Sequence, residues 1–272
     1  MSYTPPSVPP PNGNATRHFQ PDQWVRVLVS SSGKSEIGKL KSIDGESAVV
    51  ETGSGFDIKV KRSQLSRVFL LILDLNGVLV NRNKKKTVYK RPYVDEFLEF
   101  ALKNFVVGVW SSCMPENGHD IVDKTFGKSQ KKLHFQMYRD QCTPNPTPEN
   151  KYGTRKDLIH VWAQYPKSFN EENTIIIDDS PEKCSHPNNA FCPPSYAGRG
   201  DETDIAQKDT GLLQVIQVLK QVLETDSLEP VRVAKTVTMP SLCVEEMDED
   251  EASGEIVVLT SPKGEGRPSG RT

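Results

Sequence analysis

Three apolar runs in this chain end in oxygen-bearing side chains. Asp74 follows "LLIL", with Asn76 two residues later in "LLILDLNGVLV". Ser111 and Ser112 follow "VVGVW", and Asp178 and Asp179 follow "TIII". Carboxylates that converge at one sheet edge repel each other unless a cation sits among them. The natural cation is Mg²⁺, a hard ion that prefers oxygen ligands and commonly brings a phosphate with it. A lone Asp after a strand is as often a helix cap. Agreement among three strand ends favours a site. Cys113, after the serines, has the atoms of a nucleophile, but no His is placed to activate it. Cys184, His186 and Cys192 lie close together without the CxxC pair that anchors a zinc site.

The elements that carry these residues follow from periodicity. From Val68 onward, "VFLLILDL", "FVVGVWSS" and "NTIIIDDS" are continuous apolar runs, as expected of parallel strands covered on both faces. Between the first two, Val94, Phe97, Leu98, Ala101 and Leu102 keep helical spacing, and Pro92 suits a first turn. Leu158, Val161, Trp162 and Tyr165 repeat the pattern, as does "LLQVIQVLKQVL" over 212–223. Alternating strands and helices predict an α/β domain with a doubly wound parallel sheet over 68–225. Open sheets of this kind bind ligands at the carboxyl ends of their strands.

Ahead of it, "WVRVLVS", "SEIGKLKSI", "ESAVVET" and "FDIKVKR" are β patterns separated by the turn signals "SSGK", "DG" and "GSG". They predict a small all-β barrel of the Tudor or KOW type over 21–67. Trp24 and Phe56 are too few aromatics for a methyl-lysine cage, so a docking or packing role is expected. Residues 1–20, rich in proline, are expected to form a disordered arm. Residues 226–272, polar and acidic with "EEMDEDE" at 245–251, are expected to form a disordered tail.

Composition narrows the function classes. The 272 residues carry a formal net charge of −2, which argues against a nucleic-acid or membrane binder despite the basic run "NRNKKK" at 81–86. No apolar run approaches the roughly 20 residues that a membrane helix needs. The five cysteines are too scattered for a disulfide framework, and the N-terminus lacks an apolar signal core. A nuclear or cytoplasmic setting is expected.

The stretches "DLNGVLV", "RPYVDEFL", "WSSC", "RKDL" and "IIIDDSP" resemble, in order and spacing, the FCP/SCP group of haloacid-dehalogenase-type phosphatases. Members of that group act on RNA polymerase II C-terminal-domain repeats and other phosphoproteins. The resemblance covers residues 68–225 and implies a haloacid-dehalogenase-like fold. It implies that Asp74 is a nucleophile that forms an aspartyl phosphate. It makes Ser111 a hydrogen-bond donor to the phosphoryl oxygens, and Lys156 the cation that neutralises their charge. Asp74, Asp179 and the backbone carbonyl of Asn76 would ligate Mg²⁺, with Asp178 orienting the lysine and the metal shell.

One position departs from the pattern. The family has Asp where this chain has Asn76, and that carboxyl exchanges the proton needed in both steps. Asn keeps the shape but cannot exchange a proton at neutral pH, a loss that typically costs ~10²–10⁴ in rate. The expected function is a weak Mg²⁺-dependent Ser/Thr phosphoprotein phosphatase. The alternative is an inactive phosphopeptide-binding or scaffold module, including a translocase-receptor-like role. The insert "CTPNPTPENKYGT" at 142–154 would line the substrate groove or form a surface loop. In the tail, Ile256, Val257, Val258 and Leu259 beside acids resemble a SUMO-interacting motif, which would add a strand to that partner's sheet.

Overall fold

The structure, a computed structural model, describes residues 18–29, 34–198 and 209–234. The N-terminal part is a five-stranded antiparallel sheet in the order β4-β3-β2-β1-β5. Its strands are β1 (Trp24–Val29), β2 (Lys34–Asp44), β3 (Ser47–Thr52), β4 (Asp57–Lys61) and β5 (Leu65–Ser66). Alternation buries Ala48, Val50 and Thr52 along β3. They face a core with Val25, Val27, Leu40 and Leu65, on which Phe19 also packs. Gly45 takes φ +56° in the "DG" turn between β2 and β3, a conformation that suits a tight hairpin. A bulge between Leu40 and Ser42 bends β2. Four strands follow the four β patterns, and β5, within the four or five strands expected, pairs back onto β1. Trp24 turns away from any aromatic cage and meets His134 edge to face at 5.4 Å, while Phe56 is 72% exposed.

The second sheet is parallel throughout. Its strands are β6 (Leu70–Leu73), β9 (Val106–Trp110), β10 (Phe135–Met137), β13 (Thr174–Ile177) and β14 (Ala190–Phe191). They run in the order β10-β9-β6-β13-β14. Side chains on β6 feed two cores in alternation. Leu71 and Leu73 pack with α1 (Val94–Asn104), α2 (Pro115–Phe126) and α4 (Gly211–Thr225) on one face. Leu70 and Ile72 pack with Leu158 and Val161 of α3 (Leu158–Gln164) and with Trp24 on the other. A strand buried on both faces must be apolar at every position, which is why these runs are unbroken. Between β6 and α1, β7 (Val80–Arg82) and β8 (Val88–Lys90) form a small hairpin.

Several expectations need correction. The parallel sheet has five strands, because β10 and β14, at three and two residues, are too short to show as apolar runs. Helix α2 was not expected, since its sequence "PENGHDIVDKTF" buries few large apolar side chains. Pro92 lies in the turn ahead of α1, which begins at Val94 after Tyr93 in the left-handed region. Order also continues beyond Thr225. Helix α5 (Glu229–Ala234) buries Val231, and Leu228 before it is buried too. Two apolar residues three apart anchor that single turn. The 142–154 insert is a surface loop closed by β11 (Thr143–Pro144) and β12 (Thr154–Arg155), with Tyr152 81% exposed.

The two sheets belong to one compact unit. Across their seam the Trp24 amide donates to Ser168 Oγ (3.1 Å), Arg26 donates to the Asn104 carbonyl, and Lys167 pairs with Asp22 (3.0 Å). Among the described residues, no helix is long and apolar enough to cross a membrane.

Candidate functional site

Register builds the site. Leu73 of β6 lies opposite Ile177 of β13, so Asp74 and Asp178 leave neighbouring strands at the same level. The Asp74 amide closes the ladder by donating to the Ile177 carbonyl at 2.9 Å. Leu73 also lies opposite Val109 of β9, which brings Ser111 to the same edge. Asp74, Ser111 and Asp178 are all buried.

Lys156, fully buried, reaches them from the segment before α3. Its own amide donates to the Lys183 carbonyl (2.7 Å), and its carbonyl accepts from the Ser185 amide (3.2 Å). Backbone bonds on both sides thus aim the side chain at the strand ends. Its Nζ lies 2.5 Å from Asp178 Oδ2 and 3.1 Å from Asp74 Oδ1. The first is a directed hydrogen bond. The second is an ion pair only, and Asp74 Oδ1 has no hydrogen-bond partner. Asp178 Oδ1 accepts from the Ser180 amide (2.9 Å). Asp179 Oδ1 and Oδ2 accept from the hydroxyls of Ser180 (3.0 Å) and Ser195 (2.6 Å).

Two buried carboxylates, Asp74 and Asp178, thus share one lysine. Burial alone would discharge Lys156, yet Asp74 and Asp178 overcome it and hold its pKa above the usual value. Burial pushes Asp178 up to about 6, with Lys156 opposing and Asp74 adding to the rise. Both ends of the pair bind protons more tightly than usual. A lysine shared between two acids cancels one charge and leaves the other over.

The surplus charge and the donor set fit a divalent cation. Ligand oxygens of Asp74, Asp178 and Asp179 lie within 4.8 Å of one another, the one such cluster among the described residues. All three donors are oxygen, as a hard ion prefers, and Asp74 Oδ1, ion-paired with Lys156, accepts no directed hydrogen bond.

A cleft of about 280 Å³ opens over Asp74, lined also by Asn76, Arg82, Ser111, Ser112, Cys113, Ile121 and Lys183. Asn76 is exposed, and its Oδ1 accepts from the Arg82 amide at 2.7 Å. Gly77 follows at φ +90°, where a Cβ would stand 2.0 Å from Asp179 Oδ2. Only glycine lets the loop pass that close. Buried Arg91 fastens the same loop by donating to the Val78 carbonyl (3.3 Å), the Pro194 carbonyl (3.0 Å) and Asp209 Oδ1 (2.8 Å).

All of Asp74, Asn76, Ser111, Lys156, Asp178 and Asp179 therefore gather at one edge. Burial raises the Cys113 thiol pKa, and no His lines the cleft, so Cys113 is not set up as a nucleophile. His186 binds the Ser185 hydroxyl at 2.6 Å and packs on Trp162. Ile256, Val257, Val258 and Leu259 lie outside the described residues. Sequence reasoning missed Arg82, Lys183, Gly77 and Arg91. Arg82 sits inside "NRNKKK" and reads there as part of a solvated basic run.

The profile of the family described as NLI interacting factor-like phosphatase matches residues 69–229. The chain belongs to this family. An uncharacterized FCP1 homology domain-containing protein of Schizosaccharomyces pombe is 32% identical over 172 residues, 56% of this chain and 70% of that protein. A probable C-terminal domain small phosphatase of Dictyostelium discoideum is 26% identical over 181 residues, 59% of this chain and 53% of that protein. The chain thus spans about half the length of this second relative. The solved structure of the fission yeast RNA polymerase II CTD phosphatase Fcp1 bound to beryllium fluoride aligns with TM-score 0.38 and 12% identity, covering 62% of each chain. The family membership supports a phosphatase-type function and a haloacid-dehalogenase-like fold.

Proposed function

We propose that this protein is a Mg²⁺-dependent phosphoprotein phosphatase-like protein, acting on phosphoserine or phosphothreonine through an aspartyl phosphate and turning over slowly. The observation that carries this reading is the buried Asp74–Lys156–Asp178 arrangement beneath an open cleft. Asp74 is the nucleophile, and its carboxylate attacks phosphorus in line with the leaving oxygen. Ser111 donates a hydrogen bond to the transferring group. Lys156, held by Asp178, offsets the negative charge that accumulates beside Asp74. Asp74, Asp179 and the backbone carbonyl of Asn76 would hold the ion, with Asp178 behind them. When bound, it supplies Lewis-acid polarisation of a phosphoryl oxygen.

Asn76 sets the rate. Its amide has no proton to give to the departing oxygen and none to take from an attacking water. A second reading, a phosphopeptide receptor or scaffold, rests on the same residue. The Arg82 amide holds Asn76 Oδ1, which leaves the amide N–H side as the half that can bond a retained ligand. The expected setting is the nucleus or cytoplasm, with SUMO as a partner through residues 256–259.

The test compares wild type with two variants. Wild type should hydrolyse p-nitrophenyl phosphate in a Mg²⁺-dependent way that Asp74→Asn abolishes. Asn76→Asp should raise phosphate release from a phosphoserine peptide by ~10²–10⁴. If Asn76→Asp remains silent while the peptide still binds, the receptor reading replaces the enzyme.

A further inference from the structure

The cleft over Asp74 contains neither an imidazole nor a second carboxyl among its lining residues. These are the side chains that most readily exchange a proton at neutral pH. The two nearby acids are already engaged. Asp178 is fully buried, with its oxygens on Lys156 and the Ser180 amide. Asp179 accepts from Ser180 and Ser195. A leaving oxygen therefore meets no imidazole or free carboxyl there, only the cations Arg82 and Lys183.

A cation stands ready for it. Arg82 lines the same cleft, next to Asn76, to whose side chain its backbone amide is bonded. Its Nη2 donates to the neutral Asn117 Oδ1 at 2.9 Å, and its Nε is buried with no hydrogen-bond partner. Among the described residues, Arg82 takes part in no ion pair. A guanidinium held by an uncharged anchor keeps its full charge for a ligand.

We propose that this cleft transfers phosphoryl groups rapidly only from donors whose leaving group is a stable anion, and that Arg82 faces the departing oxygen. Aryl and acyl phosphates belong to that class. Serine and threonine phosphates, whose alkoxides are far more basic than a phenolate of pKa about 10, do not. The inference rests on the phosphoryl-transfer reading above and gives its slow turnover a chemical cause. In the first step an Asp74 oxygen forms its bond to phosphorus, and the bond from phosphorus to the leaving oxygen breaks. The electron pair goes with that oxygen, which meets Arg82 and is protonated later by solvent. In the second step water attacks phosphorus, the bond to Asp74 breaks, and the proton is lost to bulk water. Without a base, this step lags and the aspartyl phosphate accumulates.

Rapid-quench labelling of the full chain in Mg²⁺ reads the first step directly. Acetyl phosphate and p-nitrophenyl phosphate should label Asp74 in a burst, ~10²–10⁴ faster than a phosphoserine peptide does. Asn76→Asp should shrink that ratio by a similar factor. Arg82→Gln should slow labelling from p-nitrophenyl phosphate by ~10²–10³, and Arg82→Lys should recover part of it. Equal labelling by the phosphoserine peptide overturns the proposal. So does an unchanged burst in a folded Arg82→Gln protein, or the absence of label from every donor. In that last case, calorimetric binding of the phosphoserine peptide separates the two failures. If the peptide binds, the receptor reading survives; if it does not, the phosphoryl site fails as well.

Discussion

Two buried nitrogens, one at each end of the α/β layer, differ in charge, Lys156 cationic and His134 neutral, for a reason that burial alone does not supply. Lys156 lies at the carboxyl edge and is completely enclosed, yet two carboxylates hold its proton. His134 lies at the seam beside Trp24, Tyr165 and Phe169, with Nε2 buried and unpartnered. Burial pushes its pKa down to about 4, and the charge of Lys39 adds to the fall. Desolvation acts against the cation at both places. Acids within 4 Å decide the outcome, so the strand edge is a charged device and the seam is packing.

The largest effect should come from removing the charge at the strand edge. Lys156→Met leaves Asp74 and Asp178 facing each other without a cation and should destabilise the fold by ~3–5 kcal/mol in urea titrations. A loss under about 1 kcal/mol would mean that water already screens the pair, and the contrast with the seam would collapse.

Mg²⁺ should restore much of what the surplus carboxylate costs, and pH should gate the gain. The folded pKa of Asp178 lies above its ordinary value of 3.8, at about 6. Its contribution to stability is therefore present below 3.8 and is lost as pH rises through about 6. A bound ion would reverse that loss, so its stabilisation should be small near pH 4 and full above pH 6. At 100-fold excess over Kd the gain approaches about 2.7 kcal/mol. Thermal melts at several pH values check it, and Asp179→Ala should remove it.

The smallest effect belongs to the seam. The folded pKa of His134 lies below its ordinary 6.5, so the stability it contributes is present above pH 6.5 and fades as pH falls toward about 4. His134→Phe should flatten that part of the melting profile. If the slope persists, other groups carry it.

The strands that hold Asp74 and Asp178 were legible because both of their faces are buried, which leaves unbroken apolar runs that stop at an acid. The same physics hides β10 and β14, whose few residues give no period to read. Lys156 could be named from the resemblance, but its complete burial could not, because "RKDL" reads as a polar helix entry. Arg82 was lost among five neighbouring polar residues. What separates it from Lys84, Lys85 and Lys86 is that they are exposed while it packs beside Asn117, a contact 35 residues away. Local patterns show how a segment is covered, whereas contacts made at long range decide which charge ends up working.

The pairing of β6 with β13 also dictates when the site comes into being. Leu70 meets Thr174 across about a hundred residues, and pairings that distant form slowly because a long loop must close first. On the ribosome, Asp74 emerges well before Lys156 and the two acids that follow β13. A nascent chain therefore carries a bare aspartate for many seconds at about 5–20 residues per second. On the phosphoryl-transfer reading proposed above, chemistry would begin only once the central strand is closed in on both sides, so acquiring the ability to take up phosphate would report that the sheet is finished.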